Sequence, residues 1–188
     1  MDVEITSLPD VKIVTPARFG DDRGFFSEIY NKRALAEAGI DMDFIQENHA
    51  YSADRGTLRG LHFQCPPATQ TKLLRVLRGA IVDVCVDCRR GSPTYGQHVM
   101  AELTAESGRQ LLCPKGFAHG ILTLMPHTEI AYKVDAFYAP ELDMGIRFDD
   151  PDLAIDWPLP KKDLILSEKD RNLSGFRDLP DVFSHPER

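Results

Sequence analysis

The chain has 188 residues, with 22 Lys and Arg against 29 Asp and Glu, so its formal net charge is −7. This length favours a single domain over residues 1–188 that buries enough surface to fold without disulfides. The acidic balance argues against a nucleic-acid-binding protein, and no apolar run approaches the roughly 18 residues that span a bilayer. Because residues 1–4 also lack the basic start of a signal peptide, we expect a cytoplasmic protein with no membrane partner.

Short runs of β-branched, aromatic and aliphatic residues, separated by Gly, Pro and Asp, predict an all-β chain with a few short helices. One helix is predicted over residues 31–39, where Asn31 can cap the first turn and Gly39 suits the C-terminal position. Many short strands favour a small β-barrel or a double-sheet jelly roll, because both limit exposed sheet edges. In chain order, the predicted strands are residues 11–15, 24–30, 43–50, 58–64, 71–77, 80–87, 97–103, 110–113, 121–124 and 129–135.

The strand pattern weakens after residue 135, because prolines at 140, 151, 158 and 160 interrupt any long element. Ser167 resembles the cap of a short helix. The polar tail from about residue 171 has few apolar anchors, so we expect it to be mobile or to pack on a partner chain.

Cys85 and Cys88 form a C-x-x-C sequence within residues 81–88, which alternate like a strand. Alternation points residues three apart to opposite faces, which does not suit a redox pair or a zinc site. No second pair of ligands lies at close spacing, so we expect small, buried or half-buried thiols.

Residues 55–82 contain five basic and no acidic side chains, although the whole chain carries a charge of −7. Such segregation is typical of a focused anion site. The alternative is that Arg75 and Arg78 are solvated residues on an outer face. That alternative is weaker for Arg59 and Lys72, which flank a strand that carries a histidine.

The strand 58–64 carries His62, and Gly60 leaves room beside the imidazole. A strand histidine between apolar neighbours is often a hydrogen-bonded structural residue rather than a catalyst. The rest of the chain decides between these two interpretations.

Residues 114–120 contain a P-x-G-x-x-H motif, which resembles the second motif of the cupin superfamily. Cupins are small β-barrels that carry a functional site at the open end of the barrel. Residues 62–64 occupy the place of the first motif, where metal-binding cupins supply H-x-H and a nearby glutamate. Here the sequence reads His-Phe-Gln, and the next glutamate is Glu102. Because a stable metal site generally needs three or four protein ligands, we expect a pocket without a metal.

Over residues 5–170 the chain closely resembles the dTDP-4-dehydrorhamnose 3,5-epimerase family. Several motifs in the same order and at compatible spacing carry more weight than any one of them. The motifs are RGFFSE at 23–28, QENH at 46–49, LRGLHFQ at 58–64, KLLRV at 72–76, GSPT at 91–94, PKGFAHG at 114–120, YK at 132–133, DDP at 149–151 and LSEKD at 166–170.

The resemblance implies a cupin jelly roll that uses no cofactor, is usually a homodimer, and acts on dTDP-4-dehydro-6-deoxy-D-glucose. It makes His62 the proton-abstracting base, Asp170 its partner, Tyr132 the proton donor and Lys72 the stabiliser of the enolate oxygen. The implied contacts to the nucleotide sugar are Arg23, Glu28, Gln46, Glu47, Asn48, Arg59, His119, Tyr138, Asp143 and Lys169, with Tyr138 stacking on the thymine.

The implied role of Arg59 conflicts with the strand pattern, because strict alternation places Arg59 on the face opposite His62. Either the strand bends at Gly60, or Arg59 reaches a site shared across a dimer interface. We favour the second interpretation.

Other functions remain open at this point. A single-site epimerase or a 3,4-ketoisomerase would use the same base on a related 4-keto sugar nucleotide. A metal-dependent cupin oxygenase would need a bound metal. A protein that only binds the nucleotide sugar would not need an acid–base set.

Overall fold

A computed structural model describes residues 1–185 and shows an all-β chain with few helical turns. The two α-helices are α1 (Lys32–Glu37) and α2 (Glu168–Arg171). The strands are β1 (Asp2–Ile5), β2 (Lys12–Thr15), β3 (Arg18–Asp21), β4 (Gly24–Ser27), β5 (Gln46–Ser52), β6 (Leu58–Gln64), β7 (Lys72–Arg78), β8 (Ala80–Asp87), β9 (His98–Thr104), β10 (Gln110–Cys113), β11 (Phe117–Thr123), β12 (Thr128–Val134) and β13 (Asp143–Gly145).

The strands form a double-sheet jelly roll. One antiparallel sheet has six strands in the order β1-β2-β10-β7-β12-β5, and the other has five in the order β13-β6-β11-β8-β9. Strands β3 and β4 pair only with each other, as a separate hairpin. The strand order interleaves early and late strands, so each sheet is completed by distant parts of the chain. The predicted fold class is therefore confirmed.

The main core lies between the two sheets. Leu74 and Ile130 of the six-stranded sheet pack in one buried cluster with Ile81, Cys85 and Ile121 of the five-stranded sheet. All residues of β8 are buried, because this strand is covered on both faces. Its even-numbered residues face a second cluster, which lies on the outside of the five-stranded sheet.

The outer face of the six-stranded sheet is covered by α1, where Leu35 packs on Leu73 and Leu112. The helix begins as predicted, because the Asn31 side chain accepts a hydrogen bond from the amide of Ala34 at 3.1 Å.

The C-terminal segment covers the outer face of the five-stranded sheet. Phe176 and Phe183 are both under 9% exposed and pack with Leu61 and Val84. Up to residue 185 the tail therefore packs on its own chain, whereas its polar sequence predicted a mobile or partner-bound segment. The apolar anchors are few, but each is large. The rest of that predicted tail, residues 186–188, lies outside the described residues.

Strand β11 begins at Phe117, four positions before the predicted start of 121, so His119 lies inside a strand. The reason is tertiary: β11 pairs with β8 over its whole length, and this pairing overrides the weak strand preference of Ala118 and Gly120. Strands β1, β3 and β13 were not predicted. Within residues 1–185, no helix is long and apolar enough to cross a membrane.

Cys85 and Cys88 lie in different clusters, on the inner and outer side of the five-stranded sheet. This confirms that they do not face each other. All four cysteines are buried and free.

Candidate active site

A cleft with two adjoining lobes opens between the sheets. The first lobe has a volume of about 270 Å³ and the second about 320 Å³. His62, Lys72 and Tyr132 line both lobes. His62 projects from β6 of the five-stranded sheet, whereas Lys72 on β7 and Tyr132 on β12 project from the six-stranded sheet. The cleft therefore has the imidazole on one wall and the ammonium and phenol on the other.

His62 and Asp170 form a hydrogen-bonded pair. The Nε2 atom of His62 lies 2.5 Å from Oδ1 of Asp170, whose side chain is only 5% exposed. A carboxylate can only accept, so Nε2–H donates and the Nδ1 lone pair stays available. Burial of Asp170 by itself raises its pKa, but the hydrogen bonds from His62 and Ser167 outweigh burial and leave the pKa lowered. The carboxylate thus stays charged and orients the ring.

Helix α2 positions Asp170. The hydroxyl of Ser167 caps this helix by accepting from the amide of Asp170 at 3.1 Å, and donates to Oδ2 of Asp170 at 2.8 Å. Ser167 also lines the first lobe. The sequence predicted this cap but not its second hydrogen bond to the carboxylate.

Lys72 places an amine at the point where the two lobes meet. Its Nζ donates to the backbone carbonyl of His62 at 3.3 Å. Burial lowers the pKa of Lys72. Nearby groups that include Asp143 and Asp83 raise it, but by less. An ammonium here is only partly hydrated, so it interacts more strongly than a fully exposed one with a negative charge that develops nearby.

Tyr132 is half-buried on β12, opposite Asn48 of β5. Burial raises the pKa of its phenol, although the charge of Arg59 opposes this effect. The phenol is therefore protonated at neutral pH and can act as an acid.

Arg59 lines the first lobe together with His62. The pairing of β6 with β11 shifts register beside Gly60, and Leu61 then packs on the outer face of the sheet. This irregularity breaks the alternation, so the strand bends at Gly60 and the interpretation we favoured from the sequence is wrong. The guanidinium is held by hydrogen bonds to the hydroxyl of Ser52 at 3.3 Å and the carbonyl of Tyr51 at 3.1 Å.

Gly60 is required at this bend for two reasons. Its φ of 133° lies in a region that L side chains rarely adopt. A Cβ atom would also lie 2.4 Å from the Cα of Gly120 on β11.

The second lobe gathers several of the remaining predicted contacts. Gln46 donates to Asn48 at 2.9 Å, and both side chains line this lobe. Asp143 accepts from the hydroxyl of Tyr138 at 2.9 Å and from Lys169 at 2.5 Å. Tyr138 keeps an exposed ring at the mouth, which leaves its face free for stacking.

Gln64 stands where a metal-binding cupin would supply a ligand, and its amide is engaged otherwise. Its Nε2 donates to the carbonyl of Ala68 at 2.6 Å, and its Oε1 accepts from the amide of Ala139 at 2.7 Å. These bonds hold the loop that carries Tyr138. This function of Gln64 was not predicted from the sequence.

His119 forms a second pair of imidazole and carboxylate. It lies directly opposite His62 in the register of β11 and β6 and lines the first lobe. Its Nε2 donates to Oδ1 of Asp83 at 2.7 Å, and Asp83 is fully buried. Asp83 was not predicted from the sequence, because its partner lies 36 positions away on another strand.

Three predicted contacts lie outside the cleft of this chain. Arg23 is in the turn of the β3–β4 hairpin, with an 89% exposed side chain paired to Asp21. Glu28 accepts a hydrogen bond from Asn31 at 2.9 Å. Glu47 projects from the other face of β5 and pairs with Lys133 at 3.1 Å.

The basic side chains of residues 55–82 also lie partly inside and partly outside the cleft. Arg59 and Lys72 line the cleft, whereas Arg75 and Arg78 do not. The solvated alternative therefore holds for Arg78, which is exposed, whereas Arg75 is half-buried outside the cleft.

One group of His, Cys and acidic side chains within residues 1–185 is close enough to share a metal ion, and it consists of Asp83, Cys85 and His119. His62 is not part of this group. The acid–base residues of the cleft therefore do not form the ligand set of a metal-dependent cupin.

Comparison with known proteins identifies the family. The protein-family model described as dTDP-4-dehydrorhamnose 3,5-epimerase matches residues 5–178 of this chain. An enzyme of that name from Pseudomonas aeruginosa is 52% identical over 173 residues, which cover 92% of this chain and 94% of the relative.

Two solved structures extend the match to the fold. The dTDP-4-dehydrorhamnose 3,5-epimerase from Bacillus anthracis, with TDP and PPi bound, is 51% identical with a TM-score of 0.90, covering 93% of this chain and 98% of that chain. The 3,5-epimerase from Legionella pneumophila, in complex with dTDP-4-keto-L-rhamnose, is 40% identical with a TM-score of 0.94 over 99% of both chains. From the family match, the sequence identity and the shared jelly roll together, the chain belongs to the dTDP-4-dehydrorhamnose 3,5-epimerase family.

Proposed function

We propose that the protein is an isomerase that inverts C3 and C5 of dTDP-4-dehydro-6-deoxy-D-glucose to give dTDP-4-dehydro-L-rhamnose. The observation that carries this proposal is the placement of His62 opposite Tyr132 and Lys72 across one cleft. The names of the relatives supply the substrate class.

The first step is removal of a proton from carbon. Hydrogens on C3 and C5 are acidic because both carbons neighbour the C4 carbonyl. The His62 imidazole takes the proton, and the Asp170 carboxylate stabilises the imidazolium that forms. The enolate charge rests largely on the C4 oxygen, where the Lys72 ammonium stabilises it.

The second step returns a proton to the opposite face of the sugar. Tyr132 lies on the sheet that faces His62, and its raised pKa keeps the phenol protonated. Delivery from that wall gives inversion rather than return of the original configuration. The chemistry is a pair of proton transfers and needs no cofactor.

The second lobe suits the nucleotide end of the substrate. Tyr138 offers an aromatic face for the thymine, while Gln46 and Asn48 offer amides. Arg59 and Lys169 line the first lobe and supply positive charge for the diphosphate.

The proposal includes a homodimer. The β3–β4 hairpin exposes Phe19 and Phe26, which pair across its two strands, at 65% and 70%, and Phe25 on its other face at 63%. Exposed apolar rings of this size are typical of an interface. Arg23 lies in the turn of this hairpin, and Glu28 follows it along the chain. A partner that receives the hairpin would also receive Arg23 and Glu28 at the mouth of its own cleft.

The proposed location is the cytoplasm. A nucleoside diphosphate sugar carries charges that oppose passage through a membrane. The four cysteines are buried and free, which is typical of a reducing compartment.

The deciding experiment follows solvent deuterium into the 4-keto sugar nucleotide by NMR. The wild type should incorporate label at both C3 and C5. His62→Ala should lose exchange at both carbons, by roughly 10²–10⁴-fold. Tyr132→Phe should lose the inverted product while His62 still exchanges protons.

His49 provides the matched control, because it lies outside the cleft and pairs with Glu129 on the other face of its sheet. His49→Ala should keep normal exchange and product.

Label at one carbon only would make the protein a mono-epimerase, and an altered keto position would make it a ketoisomerase. Stoichiometric iron with chelator-sensitive activity would indicate an oxygenase, and binding without exchange would contradict any catalytic function.

A further inference from the structure

A buried group of metal-ligating side chains lies at the buried end of the cleft and has no part in the proposed proton transfers. Asp83 and Cys85 are two positions apart on β8 and face the same side. His119 on β11 is directly opposite Cys85 in the register of the two strands. One ligand atom from each of the three residues lies within 4.8 Å of the others.

Asp83 gives an independent sign that the site lacks a ligand. Its side chain is 0% exposed, and its Oδ1 is hydrogen-bonded to His119 at 2.7 Å. Its Oδ2 is buried without a hydrogen-bond partner. An unpaired carboxylate oxygen in an apolar core is costly, so a cation that binds it gains free energy.

We propose that Asp83, Cys85 and His119 form a binding site for a thiophilic divalent cation such as Zn²⁺, at the buried end of the substrate cleft. A thiolate, an imidazole and a carboxylate are all ligands that zinc prefers, whereas Mg²⁺ and Ca²⁺ prefer oxygen alone. The two anionic ligands together neutralise the charge of the cation.

The ligand atoms must move together by about 1 Å to hold zinc. Tetrahedral bonds of about 2.0–2.3 Å place two ligand atoms roughly 3.3–3.8 Å apart, whereas these atoms lie within 4.8 Å of one another. The cation displaces the Nε2 proton of His119 to solvent, and the ring takes up one proton from solvent on Nδ1, so the imidazole stays neutral and releases no proton overall. The Cys85 thiol gives up its proton to solvent, so binding releases one proton, from sulfur.

The cation reaches the site from the cleft, because His119 lines the first lobe. If His119 also contacts the nucleotide sugar, as the family resemblance implies, a cation bound to its ring inhibits turnover by the proposed function. This consequence rests on the proposed function, whereas metal binding itself does not.

The test uses untagged, metal-free full-length protein, titrated with Zn²⁺ and with Cd²⁺ as their chlorides. We expect one cation per chain by equilibrium dialysis, an ultraviolet thiolate-to-Cd²⁺ charge-transfer band, and proton release in weak buffer. Cys85→Ala should abolish the band and weaken binding at least about 100-fold, since even losing an outer partner of a metal ligand costs about 10–100-fold.

Cys88→Ala is the matched control, because Cys88 is an equally buried thiol in the cluster outside the sheet. This variant should bind as the wild type does, and thermal unfolding should show that both variants are folded. No stoichiometric binding to the wild type, or binding that survives Cys85→Ala unchanged, would overturn the site. Binding without inhibition would overturn only the consequence for turnover.

Discussion

Lys72 is a residue whose charge, placed in the cleft, lowers the stability of the folded protein. Its side chain is half-buried in the cleft, and partial burial lowers its pKa because an ammonium loses part of its hydration there. Folding favours the neutral amine, whereas stabilising an enolate needs the charged form. If Lys72 has the role proposed for it, the residue serves the reaction at a cost to the stability of the fold.

This conflict predicts the outcome of Lys72→Met, which keeps the length of the side chain and removes the charge. At neutral pH the charged lysine destabilises the fold, and the cost fades as pH rises through its lowered pKa. The variant should therefore be more stable by about 1 kcal/mol at pH 7, with a smaller advantage at alkaline pH.

Activity should change in the opposite direction, because the enolate loses its counter-charge. In the wild type, turnover should fall on the alkaline side below the ordinary lysine pKa of 10.5. Thermal melts at two pH values and a pH–rate profile measure these effects. Lys162→Met, at an exposed position, is the control and should change neither. A less stable Lys72→Met at neutral pH would contradict this account.

At the scale of an element, the bend in β6 brings the guanidinium and the imidazole to one cleft. Leu58, before the bend, packs with Leu122 and Leu164, whereas Leu61, after it, packs on the outer face of the sheet. A regular strand could not place Arg59 and His62 on the same wall.

The bend predicts a large difference between two glycine substitutions. Gly60→Ala would place a Cβ 2.4 Å from the Gly120 backbone, in addition to the unfavourable φ. Gly91→Ala has an unfavourable φ of 79° but nothing within 4 Å of the new Cβ. Gly91→Ala should cost about 1–2 kcal/mol of unfolding free energy, and Gly60→Ala clearly more. Denaturant unfolding measures both, and equal costs would contradict the close packing of β6 on β11.

Alternation predicted β6, β8 and β10 to the residue, because their apolar faces are continuous. It missed β1 and β3, whose residues are mostly exposed and so carry no apolar pattern. It also missed the bend at Gly60, which depends on close packing against β11 and leaves no periodic signal. The alternation of apolar and polar residues reports which side chains are buried. It does not predict the backbone conformation where contacts between distant strands determine it.

At the scale of the whole molecule, the site joins residues that are far apart along the chain. His62, Lys72, Tyr132 and Asp170 could be proposed together only from the order of family motifs, because no local pattern relates them. The structure brings these four to one cleft. Asp83 and the second bond of Ser167 were missed, since each acts through a partner that periodicity does not reveal.

The exposed hairpin predicts that assembly and substrate binding are linked. Phe26→Asp should shift the protein from dimer to monomer in sedimentation experiments, because a charge replaces an interface ring. It should also raise KM, since Arg23 and Glu28 would no longer reach a partner. Met125→Asp changes a 50% exposed apolar residue outside the hairpin and should stay dimeric. A monomeric wild type, or a dimeric Phe26→Asp with normal KM, would contradict this prediction.

The docking of the C-terminal segment on the five-stranded sheet has a consequence for biosynthesis. Leu61 and Val84 are synthesised well before Phe176 and Phe183, which shield them from water. The nascent chain therefore carries an uncovered apolar surface on this sheet until the segment with Phe176 and Phe183 has been made. During that interval the polypeptide is a natural client for chaperones.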